Sequence, residues 1–146
     1  MVTVHAACVA LGGAGVLIRG PSGAGKSSLA LLLAEAAGAA LVADDRVGLA
    51  VRAGRLVARP HPAAIGLVEV RGQGILTAEA LGVATLPEAI LSLAVDLVEA
   101  APRLPDPPED AAILGLHLPR LVLDRGARAA GLAPMLVRAA LRKAEP

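Results

Sequence analysis

The residues whose spacing carries the most chemistry are Gly20-Pro21-Ser22-Gly23-Ala24-Gly25-Lys26-Ser27, which fit the pattern G-x-x-x-x-G-K-[ST] at every fixed position. Phosphate oxygens need many donors converging on a small space. A glycine-rich loop running into a helix N-terminus supplies them as backbone N–H groups, with the positive end of the helix dipole behind. On this reading residues 20 to 27 cradle the phosphates of a nucleotide, Lys26 reaches the β- and γ-phosphates, and Ser27 ligates Mg²⁺. Of the 14 Lys plus Arg in the chain only Lys26 and Lys143 are lysines. A lysine therefore stands where a compact charge suits phosphate better than a guanidinium fork.

Asp44-Asp45 follow the apolar segment Leu41-Val42-Ala43. Carboxylates at the end of a strand beside such a loop hold Mg²⁺, directly or through water, or take the proton of an attacking hydroxyl. As turn formers ahead of a hairpin they would do neither. Glu69-Val70-Arg71-Gly72-Gln73-Gly74 is a second strand-to-glycine-turn transition. Strand alternation puts Glu69 and Arg71 on one face, to serve a metal and a phosphate or to form a surface ion pair. His5 lies in a strand and is either catalytic or a satisfied core or edge histidine. His61 and His117 read as surface residues, and Cys8 as inert core.

These groups must be held by a scaffold, and 146 residues is one domain, 1–146, with room for a core that needs no staples. Residues 2 to 10 and 14 to 19 read as two strands around Gly12-Gly13. Residues 27 to 37 read as a helix ending before Gly38. Strand, glycine-rich loop and helix thus follow one another across residues 14 to 37. Residues 40 to 44 are a buried strand, 47 to 51 and 55 to 59 a hairpin around Ala53-Gly54, and 66 to 75 a strand entering a glycine turn. The apolar run 89 to 100 fits strand or helix. Four prolines within residues 102 to 108 make a loop there. Residues 118 to 124 read as a last strand, Arg125 to Arg128 as a basic turn, and 132 to 143 as a closing helix with cations near its C-terminus. The fold class is α/β, with a mixed sheet.

Composition removes several functions. A formal charge of +1 gives no field for nucleic acid or an anionic membrane. With no Phe, Tyr or Trp, bases cannot stack on aromatic rings. One cysteine allows no disulfide framework and fits a reducing, cytoplasmic setting. The uncharged start, residues 1 to 18, lacks a basic leader and is broken by Gly12, Gly13 and Gly15, so it reads as neither signal peptide nor membrane span. A mean hydropathy of +0.66 suits a homo-oligomer that covers extra apolar surface.

Taken together, these motifs resemble the catalytic domain of the HPr kinase/phosphorylase family, whose members phosphorylate a serine of the phosphocarrier protein HPr. His5 stands one strand-turn-strand ahead of the loop, as in that family. Residues 20 to 27 match its G-x-S-G-x-G-K-S, residues 41 to 47 its L-V-A-D-D-x-V, and residues 69 to 75 its E-x-R-G-x-G-I. Arg103-Leu104-Pro105 looks like its Arg-Leu-Gly element, and Arg125 to Arg128 like its late basic loop. The resemblance implies an HPr kinase/PEP carboxykinase-like fold, ATP and Mg²⁺ as cofactors, and an HPr-type carrier as partner. It further implies that Asp45 accepts the serine proton and returns it in the reverse reaction, with Asp44 in support. Ser27 and Glu69 would bind Mg²⁺, and His5, Lys26 and Arg103 would assist catalysis.

Three departures stand out. Ser28 replaces the Glu common after G-K-S, Gly126-Ala127 replaces the Pro-Gly of the late loop that the family associates with dephosphorylation, and the family's N-terminal domain has no counterpart. The expectation is a short form, differently regulated, beside a nitrogen-related phosphotransferase system. Two other functions fit the loop motif: a small-metabolite kinase, for which Arg125 and Arg128 would be a thin lid, and a non-catalytic ATP-binding regulator.

Overall fold

The computed structural model describes residues 1–144, and its strands appear where short β-branched or apolar runs end in turn residues. β1 (Val2–His5) and β2 (Ala7–Leu11) lead through Gly12-Gly13 to β3 (Ala14–Arg19). Both turn glycines have positive φ, 57° and 86°, the conformation of a two-residue turn matched to strand twist. After β3 come the glycine-rich loop, helix α1 (Lys26–Ala34), β4 (Ala39–Ala43), and the hairpin β5 (Arg46–Arg52) and β6 (Arg55–Pro60). A short 3₁₀ turn, Pro62–Ala64, precedes β7 (Leu67–Val70) and β8 (Gly74–Thr77). β9 (Ala89–Leu97), β10 (Ala111–Ile113), β11 (Leu116–Leu118), β12 (Arg120–Leu123), α2 (Arg125–Ala129) and α3 (Ala133–Ala144) complete the chain.

Eight strands form one mixed sheet in the order β1-β5-β6-β9-β3-β2-β4, with β12 also on β9. β9 is the hub. It runs parallel to β3 along one edge, and its other edge is shared between β6 near residue 90 and β12 from residue 94 onward. Because β2 is antiparallel to both β3 and β4, β3, β4, β9 and β12 all point the same way. The segments that follow them, which carry the loop motif, Asp44-Asp45, residues 98 to 110 and α2, therefore gather at one edge of the sheet. In open α/β sheets that carboxyl edge is where ligands bind.

Alternation along the central strands divides the core into two layers. Val9, Val16, Ile18, Leu93, Val95 and Leu97 pack under α1 and α3, against Leu29, Leu33, Val137 and Leu141. Cys8, Leu17, Leu91 and Ala94 face the other way, against Val47, Leu49, Leu56 and Leu118. With both faces covered, β3 is an unbroken buried run from Gly15 to Ile18, as parallel strands in such sheets are.

Several expectations change in detail. The single strand over residues 2 to 10 is broken at Ala6, whose N–H donates to the Asp45 carbonyl at 3.2 Å; β1 can then pair with β5 while β2 pairs with β3 and β4. The helix expected over 27 to 37 starts at Lys26 and stops at Ala34, because residues 36 to 38 turn the chain back, with Gly38 at φ 76°. Residues 66 to 75 are not one strand but most of the hairpin β7–β8, a separate two-stranded sheet. The run 89 to 100 resolves as strand through Leu97. The last strand is split at Pro119, and the basic turn at Arg125 to Arg128 is helical, capped by the Asp124 side chain accepting from the Ala127 N–H at 2.8 Å. His61 accepts from the Ala63 N–H at 3.1 Å and so caps the 3₁₀ turn.

Candidate active site

The glycine-rich loop keeps its shape through backbone that few residues other than glycine adopt. Gly25, the residue ahead of α1, has φ 97°, and Gly23 has φ 81°. Gly20 is required for a different reason: a Cβ there would lie 3.1 Å from both the Cβ and the carbonyl oxygen of Leu97, so the loop can sit directly on the end of β9. At the start of α1, Lys26 turns back over the loop and its Nζ donates to the Gly20 and Pro21 carbonyls at 2.7 and 3.0 Å. An ammonium held by two loop carbonyls can exchange them for phosphate oxygens, with which it makes stronger, charge-assisted hydrogen bonds.

Ser27, one residue on, donates its hydroxyl to Asp44 Oδ1 at 2.7 Å. Asp44 Oδ2 accepts the Glu69 N–H at 3.1 Å, so one carboxylate ties α1 to both β4 and β7. Among the described residues Asp44 is the one charged side chain that is buried, 3% exposed. Burying a carboxylate is costly unless each oxygen has a partner, and here each has one. A hydroxyl and a carboxylate in contact are the hard oxygen pair that Mg²⁺ takes from a protein when substrate phosphates and water fill the rest of its shell. Among the described residues no group of three or more His, Cys, Asp or Glu side chains is placed to hold a metal alone. The site fits an ion that arrives with phosphates.

Asp45 behaves differently from its neighbour. Its φ is 65°, a left-handed conformation that Asp tolerates and β-branched residues do not. This backbone turn rotates the side chain out of the core, leaving it 63% exposed, 3.9 Å from His5 Nδ1 and 4.0 Å from Arg46 Nε. His5 and Arg46 are register partners on β1 and β5, so the strand pairing itself puts a cation-capable group on either side of Asp45. Lys26, Ser27, Asp44, Asp45, Glu69 and Arg71 line one cleft. Arg71 lies in the turn past the end of β7, so strand alternation does not relate it to Glu69; the hairpin nonetheless brings both to the cleft.

Not every candidate joins them. Arg103 sits in an exposed bend of the proline-rich segment and lines none of the clefts at the loop. Arg125 and Arg128 lie on α2, across the loop from Asp45. The sequence reading missed Asp96. Arg19, the residue before Gly20, makes a bidentate pair with it at 2.7 and 2.9 Å, and Arg120 adds a third contact. Burial pushes the Asp96 carboxyl up, but the two guanidiniums outweigh it and hold the group below the usual carboxylate range. Registration of Arg19 on Asp96 across β3 and β9 makes the contact, and no local pattern announces it.

A glycine-rich loop of P-loop pattern at the carboxyl edge of a mixed sheet, with a buried carboxylate on its serine and an exposed one beside it, defines a P-loop domain of the α/β class. The chain belongs to the HPr serine kinase C-terminal domain family, whose family model matches residues 1–143. It is 35% identical over 127 residues to the HPr kinase/phosphorylase of Streptococcus thermophilus, covering 82% of this chain and 41% of that protein. With the HPr kinase/phosphorylase of Mycoplasma mycoides it shares 42% identity over 71 residues, 49% of this chain and 22% of the relative. The chain thus spans less than half the length of these relatives. A solved structure of the Hpr(Ser) kinase/phosphatase from Coxiella burnetii superposes with a TM-score of 0.82 at 30% identity, covering 98% of this chain and 92% of that one. The mixed α/β fold is therefore that of an HPr kinase.

Proposed function

We propose that the domain transfers the γ-phosphoryl group of ATP to a serine of an HPr-type phosphocarrier protein. The observation that carries the reading is the division of labour between adjacent carboxylates: Asp44 buried on Ser27, Asp45 turned out to the cleft mouth. Phosphoryl transfer needs charge neutralisation at the phosphates and a base for the incoming hydroxyl, and the two aspartates meet these needs separately. In this reading residues 20 to 27 hold the phosphates, Lys26 leaves its two carbonyls for the β/γ oxygens, and Ser27 and Asp44 hold Mg²⁺ with Glu69 at the cleft wall. Mg²⁺ held by these residues would neutralise charge on the transferring group.

Asp45 takes the proton of the serine hydroxyl as its oxygen bonds to phosphorus and the bond to the ADP oxygen breaks. In reverse it gives that proton back. His5 and Arg46 flank the carboxylate and keep it directed at the acceptor. That Asp45 stands 63% exposed favours an acceptor carried on a protein surface over a small metabolite, which a closed pocket would surround. Arg103, exposed on its loop, would join only when acceptor or nucleotide draws it in. An HPr-type carrier as substrate places the domain in the cytoplasm, and the exposed Leu132 and Met135, 45% and 65%, favour a homo-oligomer. Light scattering that returns a monomer at working concentration would remove that last element.

The test of the function is mass spectrometry of an HPr-type carrier incubated with the protein, Mg²⁺ and ATP. Phosphoserine with the intact chain and none with Lys26→Ala is the expected result. Absence of phosphoserine with both, while ATP still binds, would leave an ATP-binding regulator instead.

A further inference from the structure

The P-loop separates two clefts. Ser22 and Gly23 line both. The first holds Lys26, Ser27, Asp44 and Asp45. The second, about 490 Å³, lies on the opposite side, between the loop, the end of β9 at Leu97 to Glu99, and helix α2. If the transferring phosphate lies in the first, the rest of the triphosphate must leave across the loop, toward the strands on the far side of β3. Those strands are β9 and β12, and the segments that follow them build the second cleft.

We propose that this second cleft seats the purine nucleoside of the triphosphate, with Arg125 stacking its guanidinium on the base. The inference rests on the nucleotide reading above and adds to it where the base goes and what holds it. Its size is that of a small-ligand pocket, and Leu97, Val98 and Ala129 give it an apolar wall. The chain has no Phe, Tyr or Trp, so a flat guanidinium is the planar surface it can offer a base.

The two arginines of α2 are not equivalent. Arg128 Nη1 donates to the Val98 and Leu123 carbonyls at 2.9 and 2.6 Å. Through that nitrogen it fastens α2 to the ends of β9 and β12. Among the described residues the Arg125 side chain meets only Glu99, at 3.2 Å, with both side chains about three-quarters exposed. Such a pair contributes little and exchanges readily, so Arg125 can fold over a base while the released Glu99 carboxylate accepts from an exocyclic amino group.

Titration calorimetry with Mg·ATP and with Mg·tripolyphosphate, which has the phosphates but no base, separates the possibilities. Arg125→Ala is expected to weaken ATP about tenfold, within the range of a cation–π contact, and to leave tripolyphosphate unchanged. Arg125→Lys, which keeps the charge but loses the plane, is expected to follow Arg125→Ala. Equal weakening of both ligands would make Arg125 a phosphate contact and overturn the proposal, as would full ATP affinity in either variant. If the unaltered protein binds neither ligand, the nucleotide reading falls and this one with it; if it binds both and only the variants fail to discriminate, the base site alone is lost.

Discussion

The Ser27 hydroxyl donates to Asp44 Oδ1 at 2.7 Å, joining the first turn of the P-loop helix to the end of a strand 17 residues later. That bond makes one buried carboxylate a structural pin and, in the proposed function, half of a metal site, and the two roles separate by substitution. Asp44→Ala removes the acceptor of the Ser27 hydroxyl and of the Glu69 N–H, and a hydrogen bond to a charged group contributes about 1.5–3 kcal/mol, so the loss is read as a lower urea midpoint. Asp44→Asn keeps an oxygen for one partner and loses the charge. It is expected to unfold close to the unaltered protein but to lose the rise in melting temperature that Mg·ATP produces. Full stabilisation of Asp44→Asn by Mg·ATP would remove the metal role.

Asp96 predicts a pH dependence. Its folded pKa is depressed, because Arg19 and Arg120 outweigh the opposing effect of burial. Its unfolded value is near the ordinary one of about 3.9, so the stabilisation is complete above that pH and is lost as pH falls through the folded pKa. Asp96→Asn should therefore be less stable than the unaltered protein at neutral pH, with the gap closing as the solution is acidified below about pH 4. Urea unfolding at several pH values measures it, and a gap that does not change with pH would contradict the account.

Gly20→Ala tests the seating of the loop. The added methyl would press on the Leu97 Cβ and carbonyl oxygen, each 3.1 Å away, and on the Ala24 Cβ at 3.3 Å. Since Leu97 ends a central strand, the loop must yield, and overpacking of this kind costs about 1–3 kcal/mol. Weaker Mg·ATP binding with the fold intact by circular dichroism is expected; unchanged affinity would mean the loop is not held by β9.

Cys8 supplies a probe of the fold itself. Burial pushes its thiol up to about 12, so at pH 8 it is neither accessible nor thiolate. Iodoacetamide should label it only in denaturant, and labelling of the native protein at the rate of a free thiol would contradict its place in the sheet.

Local chemistry was legible in the sequence, and long-range register was not. The P-loop, the hairpin turn at Ala53-Gly54 with φ of 52° and 76°, and the closing helix follow from glycine spacing and periodicity within a few residues. β9 fits strand or helix because its only polar residues, Ser92 and Asp96, stand four apart, a spacing that one face of a helix shares. The split between Asp44 and Asp45 depends on a left-handed φ at one residue, which adjacent aspartates permit but do not dictate. The Arg19–Asp96–Arg120 cluster needs three strands in register, over separations no local motif spans. The short helix at Arg125 was read as a turn because five residues are too few to show a period.

The central claim is that Asp45 acts on the acceptor and not on the nucleotide, and Asp45→Asn tests it most directly, since Asn tolerates the same backbone. Phosphoserine formation on an HPr-type carrier is followed by mass spectrometry, beside ATP affinity for the same preparations. The account predicts a loss of transfer of roughly 10²- to 10⁴-fold, the usual contribution of a general base, with ATP affinity unchanged. Transfer at the unaltered rate, or ATP binding lost in step with it, would contradict it.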